Sequence, residues 1–418
     1  MAAKQLKGVI LSVEDTIMNM GRIDEDVFRE VEKLMAFFKL RGITPVLLAN
    51  QKRTFTNSDT GEVRDLYDVL DDHFEELVIF TRLRDPKVPP KPQSAATEYV
   101  LNNMGWESNE VVYIGSNGDD MKTAVNGSIL FLRATWYSNN TDYGFEFSEP
   151  KEVARFIDTL CLREHFWSHE IIDGDFEYYA LAPFSTYKEA FRKYSENARA
   201  AAKFGEGDVD FWLGALVTSM YFTGIHKRIN FITAYPGHKA GVDNDKMNID
   251  LLTFGNCFRK KYLHNLIERH SDALKSQTAR NQGVALDHHN QLNTIKLNRL
   301  PIWNYNRPYT NPPLGRGKTV LLVDDICTKG WSLDAARKYI EKTNAKVVMV
   351  TWLKTINRNY CSIGDLGNFN PYQVNTFSDV PMAQEYNYHT YLVDHNASEE
   401  LGDQLEQYLN WDWPQYLI

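Results

Sequence analysis

Two adjacent carboxylates, Asp324 and Asp325, end an apolar run in VLLVDDICTKGWS, and the residues after them suit an anionic ligand. Four consecutive apolar residues read as a buried central strand, and open α/β sheets place ligands at the carboxyl ends of such strands. Paired acids one residue apart can bond two vicinal sugar hydroxyls. Behind them Ile326, Cys327, Thr328, Lys329, Gly330, Trp331 and Ser332 form a short loop opening a helix that carries Ala335, Ala336, Tyr339 and Ile340. Backbone N–H groups of such a loop and helix N-terminus can receive a phosphate dianion. Thr328 and Ser332 add hydroxyls, Lys329 adds a cation, and Gly330 allows close backbone approach. The chemistry indicated is recognition of a sugar phosphate.

A second loop belongs with this one. Residues 228–241, RINFITAYPGHKAG, read as a strand running into Pro236, Gly237, His238 and Lys239, a basic turn suited to pyrophosphate. Pro-Gly is equally a plain turn. Arg269, at the end of the short strand LIERH, either faces the same anion or is a strand-end charge. Residues 271–300 are polar and weakly periodic, as expected of an active-site lid. From 226 to 300 there are 12 Lys/Arg against 6 Asp/Glu and six of the eleven histidines. This reads as a cationic funnel or as a solvated lid. His288–His289 alone is a weak metal signal.

The 320–332 segment resembles the phosphoribosyl-pyrophosphate (PRPP) motif of type I phosphoribosyltransferases: four apolar residues, two acids, two variable positions, then a Thr- and Gly-containing loop. Lys329 and Ser332 depart from the usual threonines. The resemblance implies Asp324 and Asp325 as ribose-hydroxyl ligands, directly or indirectly on Mg²⁺, and 326–332 as the 5′-phosphate loop. It also implies pyrophosphate stabilisation by Lys239 and Arg269, and a lid over 271–300 in which Gln277, Arg280 and Asn281 loosely echo a family pattern. The implied reaction is Mg²⁺-assisted transfer of phosphoribose to a nucleobase-like acceptor, releasing pyrophosphate. Residues 177–223 and the terminal WDWPQYLI could form the family's acceptor hood. Trp212, Trp303, Tyr305, Tyr309, Trp331, Trp411 and Trp413 are stacking candidates.

The first half alternates strands and helices. KGVILSV and ITPVLL read as buried strands around a helix capped by Asp24, with Val27, Val31, Leu34, Met35 and Phe38 at helical spacing before Gly42. Helix 95–103, strand EVVYI and the run ILFLRA continue a parallel α/β pattern. Over roughly residues 5–160 the chain resembles the haloacid-dehalogenase-like (HAD) phosphatases, through VEDT after the first strand, VLLAN, KP before a helix, and VVYIGSNGDDMKTA. That family carries DxDxT. Here Ser12 stands where the nucleophilic Asp belongs, Glu14 at the acid/base position, and Thr16 is kept. Ala49 and Asn50 follow the second strand, Lys91 fits the phosphate-neutralising lysine, Ser116 replaces an acid and Asp120 survives. The losses weaken any Mg²⁺ site and imply a half inactive as a phosphatase, serving as scaffold, docking surface or ligand sensor.

Composition is consistent with both readings. Of 418 residues, 43% are hydrophobic and 24% charged, which excludes disordered and fibrous classes. Net charge is −9, of which residues 1–150 carry −8 (16 Lys/Arg against 24 Asp/Glu). The expected architecture is α/β, two Rossmann-like three-layer domains, with residues 1–163 HAD-like and 164–418 phosphoribosyltransferase-like. PRPP or a related phosphorylated ribose is the expected ligand, and self-association or a protein partner would use the first half. Cys161, Cys257, Cys327 and Cys361 lie too far apart for a CxxC pair, no apolar run reaches membrane-spanning length, and charges arrive too early for a signal peptide. A cytoplasmic location without membrane or nucleic-acid binding is expected. The alternative function is PRPP or nucleotide sensing without turnover. Fusions of these two domain types resemble components of bacterial stress-response and phage-defence systems.

Overall fold

A computed structural model describes residues 4–20, 22–56, 60–74, 76–139, 141, 144–241, 245–274 and 287–417. Two six-stranded sheets organise them. The first runs, edge to edge, Val78–Thr81, Thr44–Ala49, Gly8–Leu11, Val111–Gly115, Leu130–Ala134 and Phe145–Phe147, every neighbouring pair parallel. Its central strands are apolar because helices cover both faces. Asp24 caps the helix Glu25–Leu40 by accepting from the N–H groups of Asp26 and Val27.

The second sheet runs Lys261–Tyr262, Phe231–Ala234, Thr319–Cys327, Lys346–Thr355, Phe176–Phe184 and His169–Asp173, antiparallel only at the last pair. The His169–Asp173 strand is hidden in a sequence of mixed polarity because it is an edge, with Ile171 buried and Ile172 exposed.

Helix Val209–Phe222 joins the two sheets. It is apolar on every side, as a helix buried all round must be. The Tyr221 hydroxyl donates to the Val111 carbonyl of the first sheet, and Trp352 of the second sheet donates to the Trp212 carbonyl. Buried Arg163 donates to Ala215 O, Thr218 Oγ1 and Ser219 Oγ of the same helix, and desolvation lowers its pKa to about 10. One hydrophobic cluster consequently runs from Leu6 through this helix to Trp413.

Three expectations change here. Residues 177–223 form a central strand and two packing helices rather than a hood. The terminal Trp411 and Trp413 bond Asp158 and Glu30 and pack on Phe37, so they belong to the first half's surface. The expected lid narrows as well. Gln277, Arg280 and Asn281 lie outside the described residues, whereas Leu292, Ile295 and Leu297 are buried, and Ile295–Leu297 pairs with Ile267–Arg269. Among the described residues no helix is long and apolar enough to cross a membrane, and all four cysteines are free.

Candidate functional site

The chain leaves strand Phe231–Ala234, reaches the outer edge at Lys261–Tyr262, then returns to the opposite side of Phe231–Ala234 as Thr319–Cys327. Strand order reverses between those two neighbours, and open α/β sheets bind ligands beyond the carboxyl ends of the strands at such a place. Asp324 lies toward that end of its strand. Tyr235, directly after the first strand, continues the pairing through its N–H to the Val323 carbonyl at 2.8 Å.

The two acids are consecutive on one strand, and their carboxyl groups interact with each other. Asp325 Oδ2 meets Lys203 Nζ at 3.2 Å on the helix Glu189–Phe204. Asp324 faces the Tyr235 side, where desolvation and the charge of Asp325 push its carboxyl well above the usual range. Burial also raises the Tyr235 hydroxyl, with Asp324 raising it further while Arg269 and Ser332 pull it down. Asp324, Ser332 and Arg269 therefore all lie near the Tyr235 hydroxyl.

Arg269 is a strut within that group, not an open cation. Its Nε donates to the Gly237 carbonyl, Nη1 to Thr294 Oγ1 at 2.6 Å, and Nη2 to Tyr235 OH at 3.0 Å and Gln291 Oε1 at 3.1 Å. The buried guanidinium thus fixes the Pro236–Lys239 turn through a backbone carbonyl. His238 and Lys239 are exposed on that turn, and the His238 carbonyl accepts from Ala273 N.

The expected phosphate loop is shorter than its motif. Ile326 and Cys327 remain in the strand, paired with Leu353 and Lys354, so only Thr328–Gly330 turns before the helix Trp331–Glu341. Buried Lys354 holds the turn by donating to the Thr328 and Arg358 carbonyls at 2.6 and 2.7 Å, and burial lowers its pKa. Gly330 has φ 81°, and a Cβ there would stand 2.4 Å from the Tyr360 ring. The glycine leaves room for that ring. Lys329 lies over Trp331 at 4.6 Å, and Thr328 Oγ1 meets Thr355 Oγ1 at 3.0 Å.

Other expected cations are dispersed: Arg228 pairs with Glu177, Lys227 with Asn109, Lys296 with Glu268, and Lys261 covers Trp303 and Tyr309. The funnel reading fails for these residues. His288 and His289 bond the Val380 carbonyl and N–H, not a metal geometry. Of the aromatic candidates, Trp331 adjoins the turn, while Trp212 is core. Lys203, Tyr235, Gln291, Thr294 and Lys354 were missed by sequence reasoning. Only Tyr235, an aromatic ending a strand ahead of Pro-Gly, carried a local signal.

In the first half, Lys91 Nζ lies 2.6 Å from Asp120 Oδ1, 3.2 Å from Tyr113 OH and 3.5 Å from Ser12 Oγ. Asn50 clamps the Lys91 backbone through both its N–H and its carbonyl. Asp120 also accepts from the N–H groups of Ser116 and Asn117. Glu14 turns away to Arg53 at 3.0 Å and to Met20 N. Thr16 is buried, and Trp136 Nε1 donates to its carbonyl, drawing 136–138 over the site. Among the described residues only Asp120 contributes a carboxylate beside Lys91, and that charge is matched, so these residues do not fit Mg²⁺. At the second sheet, Asp324 and the Lys203-bound Asp325 offer hard oxygens that fit an ion arriving with other oxygen ligands rather than one caged by protein.

No family model and no curated protein matches the chain. Similar solved structures include a HAD-superfamily hydrolase of subfamily IA from Geobacter sulfurreducens, 15% identical, covering 37% of this chain and 100% of that one at TM-score 0.25. A Had-superfamily hydrolase from Ehrlichia chaffeensis is 14% identical, covering 38% and 98% at TM-score 0.27. An uncharacterized protein from Listeria monocytogenes is 14% identical, covering 36% and 95% at TM-score 0.27. At these scores nothing about chemistry follows from the likeness.

Proposed function

We propose that the second sheet binds PRPP with Mg²⁺ and transfers phosphoribose to a nucleobase-like acceptor, in the manner of type I phosphoribosyltransferases. The observation that carries this reading is the meeting of Asp324, Ser332 and the Arg269-held Pro236–Lys239 turn at the strand-order reversal. Asp324 would accept from ribose hydroxyls. Thr328, Ser332 and the N–H groups of the 328–332 turn would take the 5′-phosphate. Lys239 would face the pyrophosphate, with Arg269 positioning its turn. In the reaction the anomeric C–O bond to pyrophosphate breaks, an acceptor nitrogen bonds that carbon, and the acceptor loses its proton. Mg²⁺, when bound, would help neutralise the departing pyrophosphate.

The first half, on this reading, is a HAD-like domain inactive as a phosphatase. Ser12 in the nucleophile's place and the closed Lys91–Asp120 pair support that. A second reading, binding without turnover, is favoured by Arg269 being committed to its own loop.

Titration calorimetry with PRPP and Mg²⁺ tests the site. Saturable heat is expected for the native chain, and none for the Asp324→Asn, Asp325→Asn double variant. Unchanged heats in that variant would overturn the assignment. Pyrophosphate release with nucleobase pools separates transfer from sensing.

A further inference from the structure

His165, Asp394 and Glu400 converge where the segment leaving the first half meets the C-terminal helix Ala397–Leu409. His165 Nδ1 lies 3.9 Å from Asp394 Oδ2 and 3.7 Å from Glu400 Oε2, and the three donor atoms lie within 4.8 Å of one another. A protonated imidazole bonded to one of these acids would sit at about 2.7–2.9 Å from it. Instead Nδ1 stands nearly equidistant from both. It is buried, with no hydrogen-bond partner among the described residues.

We propose that His165, Asp394 and Glu400 bind a divalent transition-metal ion, with Zn²⁺ as the fitting probe. Zinc bonds of about 2.0–2.2 Å in tetrahedral arrangement separate ligand atoms by about 3.3–3.6 Å. The two separations from the histidine exceed this by a few tenths of an ångström, which small side-chain rotations close. The Asp394 side chain keeps only 7% exposure, and its other oxygen accepts from Asn396 N at 2.9 Å, which fixes Oδ2 toward the histidine. One imidazole nitrogen with two carboxylates suits a borderline ion, whereas Mg²⁺ and Ca²⁺ take oxygen ligands. His165 and Glu400, 37% and 32% exposed, leave an entry path and room for a water ligand.

The ion would tie three parts of the chain together. His165 follows the Ile157–Cys161 turn, Asp394 follows the loop paired to the edge strand, and Glu400 lies on the helix that packs against Glu189–Phe204. Its role is a structural clamp on the C-terminal helix, independent of the sugar-phosphate reading.

Chelator-stripped full-length protein, titrated with Zn²⁺ by calorimetry and analysed for metal by mass spectrometry, decides the matter. One equivalent per chain and a raised melting temperature are expected, with Ca²⁺ giving neither. His165→Ala and Glu400→Gln should each weaken Zn²⁺ at least tenfold, with circular dichroism unchanged. Absence of stoichiometric Zn²⁺ binding, equal binding of Ca²⁺, or unchanged affinity in the double variant would overturn the proposal.

Discussion

Gly330→Ala isolates what the turn after Asp325 requires of its glycine. At φ 81° the residue lies in the left-handed region, which costs a side-chain-bearing residue about 1–2 kcal/mol. The added Cβ would also stand 2.4 Å from Cε2 and Cζ of Tyr360, more than an ångström inside contact distance. Tyr360 cannot yield cheaply. It is fully buried, its ring centre is 5.3 Å from that of Phe176 and 5.0 Å from that of Tyr178, and its hydroxyl lies 3.4 Å from Met349 Sδ. Overpacking of this kind costs about 1–3 kcal/mol, so the total comes to about 2–5 kcal/mol. Urea unfolding followed by tryptophan fluorescence measures it, with Trp331 reporting locally. In a Tyr360→Ala background the steric part vanishes, and the same glycine substitution should cost only about 1–2 kcal/mol. A loss below about 0.5 kcal/mol in the native background, or an equal loss in both backgrounds, would refute the reasoning.

Two further outcomes follow from buried charge. The Asp324 carboxyl is raised in the folded chain, so folding takes up a proton; this group's contribution to stability is fully present below the unfolded value of about 3.9 and is lost as pH rises through the folded value. Asp324→Asn should therefore gain on the native chain progressively above about pH 4 in pH-dependent urea unfolding, and parallel stability curves would contradict this. Lys91→Met leaves buried Asp120 without its cation and should destabilise by about 3–5 kcal/mol, whereas adding Asp120→Asn should restore most of the loss in the same assay; a double variant no more stable than the single would show that the pair is not the source.

Legibility followed the range of the interactions. Strands written as unbroken apolar runs, such as Gly8–Leu11 and Thr319–Cys327, and the Asp24 cap depend on neighbouring residues and could be read directly. The ends were harder. The acids suggested that the strand stops at Val323, yet pairing with Leu353 and Lys354 carries it on to Cys327. Lys203 beside Asp325, and Gln291 and Thr294 around Arg269, come from segments far apart in sequence, and no local pattern marks them. The polar stretch 271–300 reads as a lid because its few apolar residues are widely spaced, although Leu292, Ile295 and Leu297 are core.

The distribution of charge acquires a physical sense from the packing. Most of the net −9 belongs to the first half, but its central site is not acidic in effect: Lys91 matches Asp120, and Arg53 matches Glu14. What the two halves share is apolar. Helix Val209–Phe222 has no polar face to present to water, so each sheet supplies part of its cover, Tyr221 reaching one and Trp212 the other. The first half thus contributes burial to the helix that underlies the second sheet. Its structural role is visible at Arg163, whose buried guanidinium ends among the carbonyl and hydroxyl oxygens of that helix.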